Sequence, residues 1–107
     1  MDSLAALADP TRRRIVELLT LREMSAGEIA QHFRMSAPAI SQHLKVLRDA
    51  HLVQMRAEAQ RRIYEIDPDG FVELDAWLIN IRQFWRGRLD APIERRLIKR
   101  VRDGAGN

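Results

Sequence analysis

Two helix-start signatures lie eleven positions apart near the middle of this chain, and they constrain its fold more than any other feature. Ser25-Ala26-Gly27-Glu28 is a capping box, in which a Ser and a Glu three residues apart satisfy each other's free backbone amides. Ser36 is the second cap, and Pro38 falls in the first turn after it, where a missing N–H is tolerated. Ile29, Ala30 and Phe33 share one helical face between the two caps, so the first helix has about two turns. Arg34-Met35-Ser36 leaves room only for a short break. The second helix runs from Ala37 to about Ala50, with Ile40, Leu44 and Leu47 as its inward stripe. Two short helices joined this tightly make a helix-turn-helix.

The flanking segments extend that core. Leu4, Leu7 and Ala8 predict a short apolar helix. Asp9 then caps, and Pro10 opens, a helix with Ile15, Leu18 and Leu19 on one face to about Leu21. Leu52-Val53-Gln54-Met55-Arg56-Ala57 alternates as a half-buried strand does, and Arg62 to Ile66 is its partner. Glu58 to Arg61 form the turn, and with no Asn-Gly or Asp-Gly pair a loose loop is expected. Asp67-Pro68-Asp69-Gly70 restarts a helix from about Phe71 to Ala91. Its stripe of Leu74, Leu78, Ile81 and Trp85 is widened by Trp77 and Phe84 beyond what one small domain needs to cover. Pro92 ends or kinks it. The expected fold is mainly α with a small β-hairpin, a winged helix-turn-helix. No repeat, linker or low-complexity tract divides it, so residues 1–91 form one domain and residues 92–107 a basic tail.

Charge distribution says more than net charge. The formal net is only +3. From Arg34 to Arg62, six Lys/Arg face Asp49 and Glu58, a net of +4, whereas Asp2 to Phe33 carries a net of −1. A second basic cluster, Arg95, Arg96, Lys99, Arg100 and Arg102, lies in the tail. The absence of cysteine rules out disulfides, thiolate metal sites and a cysteine nucleophile. No export signal opens the chain and no apolar run approaches the roughly 20 residues that span a bilayer, so a cytoplasmic protein without membrane attachment is expected.

The layout suits double-stranded DNA. An α-helix fits the major groove, where each base pair shows a distinct donor and acceptor pattern. Rotating about 100° per residue places Pro38, Gln42, Lys45 and Asp49 opposite the buried stripe, with Ser41 on the flank. Gln42 can bond adenine in two-pronged fashion and Ser41 a base or a phosphate. Lys45 suits phosphate neutralisation. Ser36 and the free amides at the helix start can hold a phosphate. His43 flanks the helix against core or phosphate, and Arg61 and Arg62 at the hairpin tip reach the flanking backbone.

The residues also resemble a known family. Leu7-Ala8-Asp9-Pro10-Thr11-Arg12-Arg13-Arg14-Ile15 resembles the opening of ArsR-family repressors, and Ser36 to Ala50 resembles that family's recognition helix. Leu52-Val53 and Arg61-Arg62-Ile63-Tyr64 are similar to its wing. The resemblance covers about residues 4 to 91. It implies a homodimeric repressor whose first and last helices pair across a two-fold axis, blocking polymerase at a palindromic operator. Leu4, Leu7, Leu74, Trp77, Leu78, Ile81, Phe84 and Trp85 would form that dimer seam. Ser41 and Gln42 match the family's base-contacting positions, and Arg61 and Arg62 its wing tip.

The family's sensor sites are missing here. Many relatives hold metals with cysteines in the third helix or with His and Asp/Glu pairs on the last. This chain has no cysteine, and its histidines, His32, His43 and His51, form no pair at ligand spacing. No metal or other cofactor is expected, and the inducer is unknown. Relatives of this kind resemble autorepressors. A small-molecule pocket around Trp77, Phe84 and Trp85 is the alternative to core and dimer seam. The basic tail departs from the acidic end expected of the family.

Other function classes fare worse. An enzyme is not expected, because no glycine-rich phosphate loop, paired nucleophile and base, or metal cluster is present. A winged-helix protein-interaction module without DNA binding is the stronger rival. Such a module would lack both the basic wing and the hydrogen-bonding helix face. RNA binding would call for exposed stacking aromatics, which are scarce outside the last helix.

Overall fold

Helix starts leave backbone amides without partners, and in this chain side chains supply them. A computed structural model describes residues 2–86 and Arg88. The first helix, α1, spans Asp2–Leu7. α2 spans Pro10–Leu21, and the Asp9 carboxylate accepts from the Arg12 amide at 3.1 Å. A two-residue strand, β1 (Met24–Ser25), leads into α3 (Ala26–Ala30). Both bonds of the capping box form: Glu28 N–H donates to Ser25 Oγ at 3.2 Å, and Ser25 N–H donates to Glu28 Oε1 at 3.1 Å. α4 spans Ala37–Asp49, with Ser36 Oγ accepting from the Ala39 amide at 3.2 Å. The hairpin strands are β2 (Val53–Glu58) and β3 (Arg61–Ile66), and α5 spans Pro68–Arg86. α5 starts earlier than Phe71 because Asp67 Oδ1 accepts from the Asp69 amide at 3.0 Å. The expected end near Ala91, and Pro92 with the tail, lie outside the described residues.

Two local features, the length of α3 and the turn of the wing, differ from expectation. α3 is shorter than two turns, because His32 and Phe33 donate only three residues back, to Ile29 and Ala30, at 3.0 and 3.1 Å. That tightening turns the chain toward α4. α1 buries Ser3 and Ala6, while Leu4 is exposed and Leu7 half-buried. The small side chains form its inner face. The wing is not a loose loop. Glu58 pairs with Arg61, so only Ala59 and Gln60 connect the strands, and Ala59 adopts a left-handed φ of 56°. Alanine tolerates this conformation at a cost that glycine would avoid.

The sheet order is β1-β3-β2, antiparallel throughout. β1 pairs Met24 with Tyr64 and Ser25 with Ile63. It anchors the hairpin to the helix-turn-helix through one residue, since Ser25 is both a strand residue and the cap of α3.

The chain divides into two units, Met1–Asp75 and Ala76–Asn107. In the first, Ile15, Ile29, Ile40, Leu44, Leu47, Leu52 and Val53 are fully buried. Burying each such side chain contributes about 1.5–3 kcal/mol. α4 ends in a Schellman motif. His51 takes a left-handed φ of 59°, its amide donates to Arg48 O at 3.0 Å, and Leu52 N–H donates to Leu47 O at 3.0 Å. The buried pair Leu47 and Leu52 supplies the hydrophobic contact that accompanies the motif.

Gly70 is fitted against that corner. Its amide donates to His51 O at 2.8 Å, and a Cβ there would lie 2.6 and 2.7 Å from the backbone oxygens of His51 and Ala50. Gly70→Ala therefore destabilises by about 1–3 kcal/mol through overpacking. Helix propensity alone would predict stabilisation by about 1 kcal/mol. Urea titration of the two proteins decides between these opposite signs.

Candidate nucleic-acid interface

The burial of Ile40, Leu44 and Leu47 sets the rotation of α4 about its axis. Ser36, Ala37, Pro38, Ser41, Gln42 and Lys45 are consequently all exposed. The first two turns outside the core carry only small or neutral hydrogen-bonding groups. Lys45 Nζ pairs with Asp49 Oδ2 at 2.9 Å, an i,i+4 pair open to solvent. Such pairs contribute about 0.3–0.5 kcal/mol, so the ammonium can exchange to a phosphate at small cost. Arg48, which the sequence reading did not single out, is exposed on the same flank as Ser41. The signal was there, since positions seven apart nearly superpose on a helix.

His43 occupies the opposite flank. It is half-buried, with Nδ1 3.3 Å from Arg12 Nη1. The structure thus brings Ser36, Pro38, Ser41, Gln42 and Lys45 onto one continuous surface and sets His43 beside α2.

The hairpin register separates the two wing arginines. Residues facing each other across an antiparallel pair share a side of the sheet, and neighbours along a strand alternate. Arg61 lies with Glu58, Arg56 and Glu65, whereas Arg62 lies with Ala57, Met55 and the buried Tyr64. Arg61 Nη2 donates to Glu28 Oε1 at 2.7 Å. Arg62 is exposed and has no acidic partner among the described residues. Of the pair, Arg62 is the cation available to an added anion.

The basic excess counted from Arg34 to Arg62 is also smaller in space than along the chain. Arg56 donates from both terminal nitrogens to Glu23, at 2.7 Å each, and pairs with Glu58 at 3.2 Å and Glu65 at 3.4 Å. These carboxylates hold the guanidinium pKa above its usual value, the Glu23 hydrogen bonds most strongly. Glu23 and Glu65 fall outside that stretch of sequence, so a linear count misses them.

On α5, Trp77, Leu78, Phe84 and Trp85 are exposed, Phe84 to 55%, while Leu74 and Ile81 are half-buried. Among the described residues, no group of three His, Asp or Glu side chains is placed to hold a metal ion, and no helix is long and apolar enough to cross a membrane. The tail arginines and Lys99 lie outside the described residues.

A capped helix pair, an exposed second helix and a hairpin braced on its first helix define a winged helix-turn-helix regulator. The sequence pattern described as bacterial regulatory protein, arsR family, matches residues 9–55. The chain is 46% identical over 80 residues to the HTH-type transcriptional regulator Rv2034 of Mycobacterium tuberculosis, covering 75% of this chain and 72% of that protein. It is 37% identical over 75 residues to the transcriptional repressor SdpR of Bacillus subtilis, covering 70% and 83%. A crystal structure of an ArsR family transcriptional regulator superposes with a TM-score of 0.75 at 29% identity, over 81% of this chain and 90% of the other. The chain belongs to the ArsR family of bacterial regulatory proteins, which are not enzymes.

Glu28 links α3 to β1 and the hairpin, bonding the Ser25 amide, Arg22 at 2.9 Å and Arg61 at 2.7 Å. The Ser25 amide first, then Arg22, hold its carboxyl at about 2, against an ordinary 4.5. The folded-state value is depressed, so this stabilisation is complete above pH 4.5 and fades as pH falls toward 2. Glu28→Gln can keep the capping bond but not the ion pairs. Acid titration followed by circular dichroism therefore shows a shallower loss of stability between pH 4.5 and 2 for the variant than for the wild type.

Proposed function

We propose that the chain is a sequence-specific repressor that binds double-stranded DNA as a homodimer at a palindromic operator. The observation that carries this is the outward face of α4. It is neutral and hydrogen-bonding where a groove would be read, on a helix whose rotation the core has already set. Ser41 and Gln42 contact base edges, and Pro38 lets the helix start approach closely. Ser36 with the first free amides, Lys45 and Arg48 engage phosphates. His43 contacts the backbone from the other flank. Arg62 grips the phosphates beside the groove, and Arg61 joins by exchanging Glu28 for a phosphate.

Residues 1–91 form the DNA-binding and dimerisation domain, and residues 92–107 a basic tail with no assigned role. The dimer seam takes Leu4 and Leu7 from α1 and Leu74, Trp77, Leu78, Ile81, Phe84 and Trp85 from α5. Exposed apolar side chains this numerous on one helix mark an interaction surface rather than scattered surface residues. Repression is favoured by the relative named as a repressor. Protein docking without DNA leaves the neutral α4 face and the available Arg62 unexplained. Binding an operator places the protein in the cytoplasm.

Gln42→Ala costs about 1–3 kcal/mol against the preferred base at one operator position and relaxes discrimination there. Arg62→Ala weakens binding to every duplex alike and lowers the slope of log affinity against log salt by about one. Fluorescence anisotropy titrations over a salt series, on duplexes selected from a random pool, check both. If neither variant changes DNA affinity, the assigned surface is wrong.

For the dimer, sedimentation at micromolar concentration gives twice the chain mass for the wild type and a single chain for Trp77→Asp/Phe84→Asp. The monomeric variant then loses the cooperative engagement of two half-sites spaced about one helical turn apart. A monomeric wild type would refute the dimer.

A further inference from the structure

We propose that Arg12 is a positioning residue for DNA contact, holding His43 on α4 in the single tautomer that presents an uncharged Nε2–H to a phosphate. This rests on the DNA-binding function proposed above and adds a residue to it.

Arg12 stands in the first turn of α2 and joins three helices. Its Nε donates to Ala6 O at 2.6 Å and its Nη2 to Ala5 O at 3.4 Å. Both carbonyls belong to the last turn of α1, whose oxygens favour a cation, and Ala5 O also accepts from the Ala8 amide at 3.3 Å. The guanidinium is thus anchored on one side, and its remaining arm, Nη1, reaches His43 Nδ1 at 3.3 Å. Behind it, Asp9 caps α2 by accepting from Arg12's own amide. The Arg12 side chain is half-buried, which suits a brace within the fold better than a freely sampling surface cation.

The chemistry of the contact fixes the imidazole. A guanidinium has five N–H donors and no acceptor. His43 Nδ1 must therefore accept, and the neutral ring carries its hydrogen on Nε2. The two ring nitrogens point to nearly opposite sides, so Nε2–H is directed away from Arg12 and the α1 carbonyls. His43 lies on the flank of α4 opposite Ser41 and Arg48. A helix seated in the major groove presents its outer face to the bases and its two flanks to the two phosphate walls. Ser41 and Arg48 serve one wall, and the His43 donor serves the other. This contact carries no base information and no charge. Its loss lowers affinity for all duplexes equally and, unlike loss of Arg62, releases no fewer counterions.

The test compares Arg12→Met, His43→Gln and His43→Asn with the wild type. Long-range proton–nitrogen correlation spectra of the full-length protein read the His43 tautomer, and anisotropy over a salt series reads affinity and slope. The wild type shows hydrogen on Nε2 alone. Arg12→Met mixes the tautomers and binds about tenfold more weakly at an unchanged salt slope, the equivalent of about 1.4 kcal/mol. His43→Gln, whose amide nitrogen falls near the position of Nε2, binds within about twofold of the wild type. His43→Asn, whose amide falls near Nδ1, binds as weakly as Arg12→Met.

Hydrogen on Nδ1 in the wild type would overturn the proposal. So would a salt slope lowered by about one in Arg12→Met, which would make Arg12 itself a phosphate contact. Wild-type affinity in His43→Asn would do the same. If Arg12→Met fails to fold, the two His43 variants decide the matter, because they leave the α1 and α2 contacts in place. A wild type that binds no duplex refutes the DNA-binding function and this proposal together. DNA binding weakened by Gln42→Ala but indifferent to both His43 variants refutes this proposal alone.

Discussion

The rotation of α4 about its own axis is the setting on which the candidate interface depends. Ile40, Leu44 and Leu47 are exposed to 1% or less, and each would leave the core if the helix turned by one residue. That loss would be several kcal/mol against a total stability of about 5–15 kcal/mol for a domain of this size. The axial position is held as firmly, by Ser36 at one end and the Schellman turn at His51 at the other. With rotation and ends fixed, the outward residues are a consequence of the inward ones. Ser41 and Arg48 must share one flank, His43 must take the other, and Gln42 must face straight out.

Charge around this helix is arranged by local restraint more than by abundance. Arg56 is enclosed by three carboxylates, Arg61 is held by Glu28, and Lys45 by Asp49. Exposed pairs of this kind contribute little to stability. Their larger effect is on association, because each carboxylate lowers the positive potential that an approaching polyanion meets. Arg62, on the other side of the hairpin, escapes this pairing among the described residues. A wing with one unpaired cation and two held by carboxylates meets any duplex with less positive potential than one with three unpaired, which leaves more of the discrimination to α4.

Much of this was legible in the sequence, for stated physical reasons. Ser25, Glu28 and Ser36 are read from side chains that act on backbone two or three residues away, so spacing alone reveals them. The stripe of Ile40, Leu44 and Leu47 is legible because burial follows helical period. Long-range contacts were hidden. β1 has two residues, too few for any alternation, and exists because Tyr64 and Ile63 come alongside. The tight turn at Ala59 carries no glycine or asparagine signature, and strand pairing overrides the residue's own preference. Gly70 reads as an ordinary helix-start glycine until the carbonyls of Ala50 and His51 are placed against it. On α1 the small side chains Ser3 and Ala6 take the inside and Leu4 is left exposed, a division that only the packing partners reveal.

The α4 face and the apolar α5 face are linked by energetics. Gln42 and Ser41 are the uncharged side chains able to read base edges from one copy of α4. A good bidentate contact discriminates by about 1–3 kcal/mol. Specific regulators exceed their own non-specific binding by about 4–10 kcal/mol. A single copy therefore falls short, and strengthening it with more cations would raise specific and non-specific affinity together. Joining two copies doubles the number of bases read and makes the second engagement intramolecular. On the proposed function, exposed tryptophans and phenylalanine on α5 are what a sparse reading helix requires, since they supply the second set of contacts that its own side chains cannot.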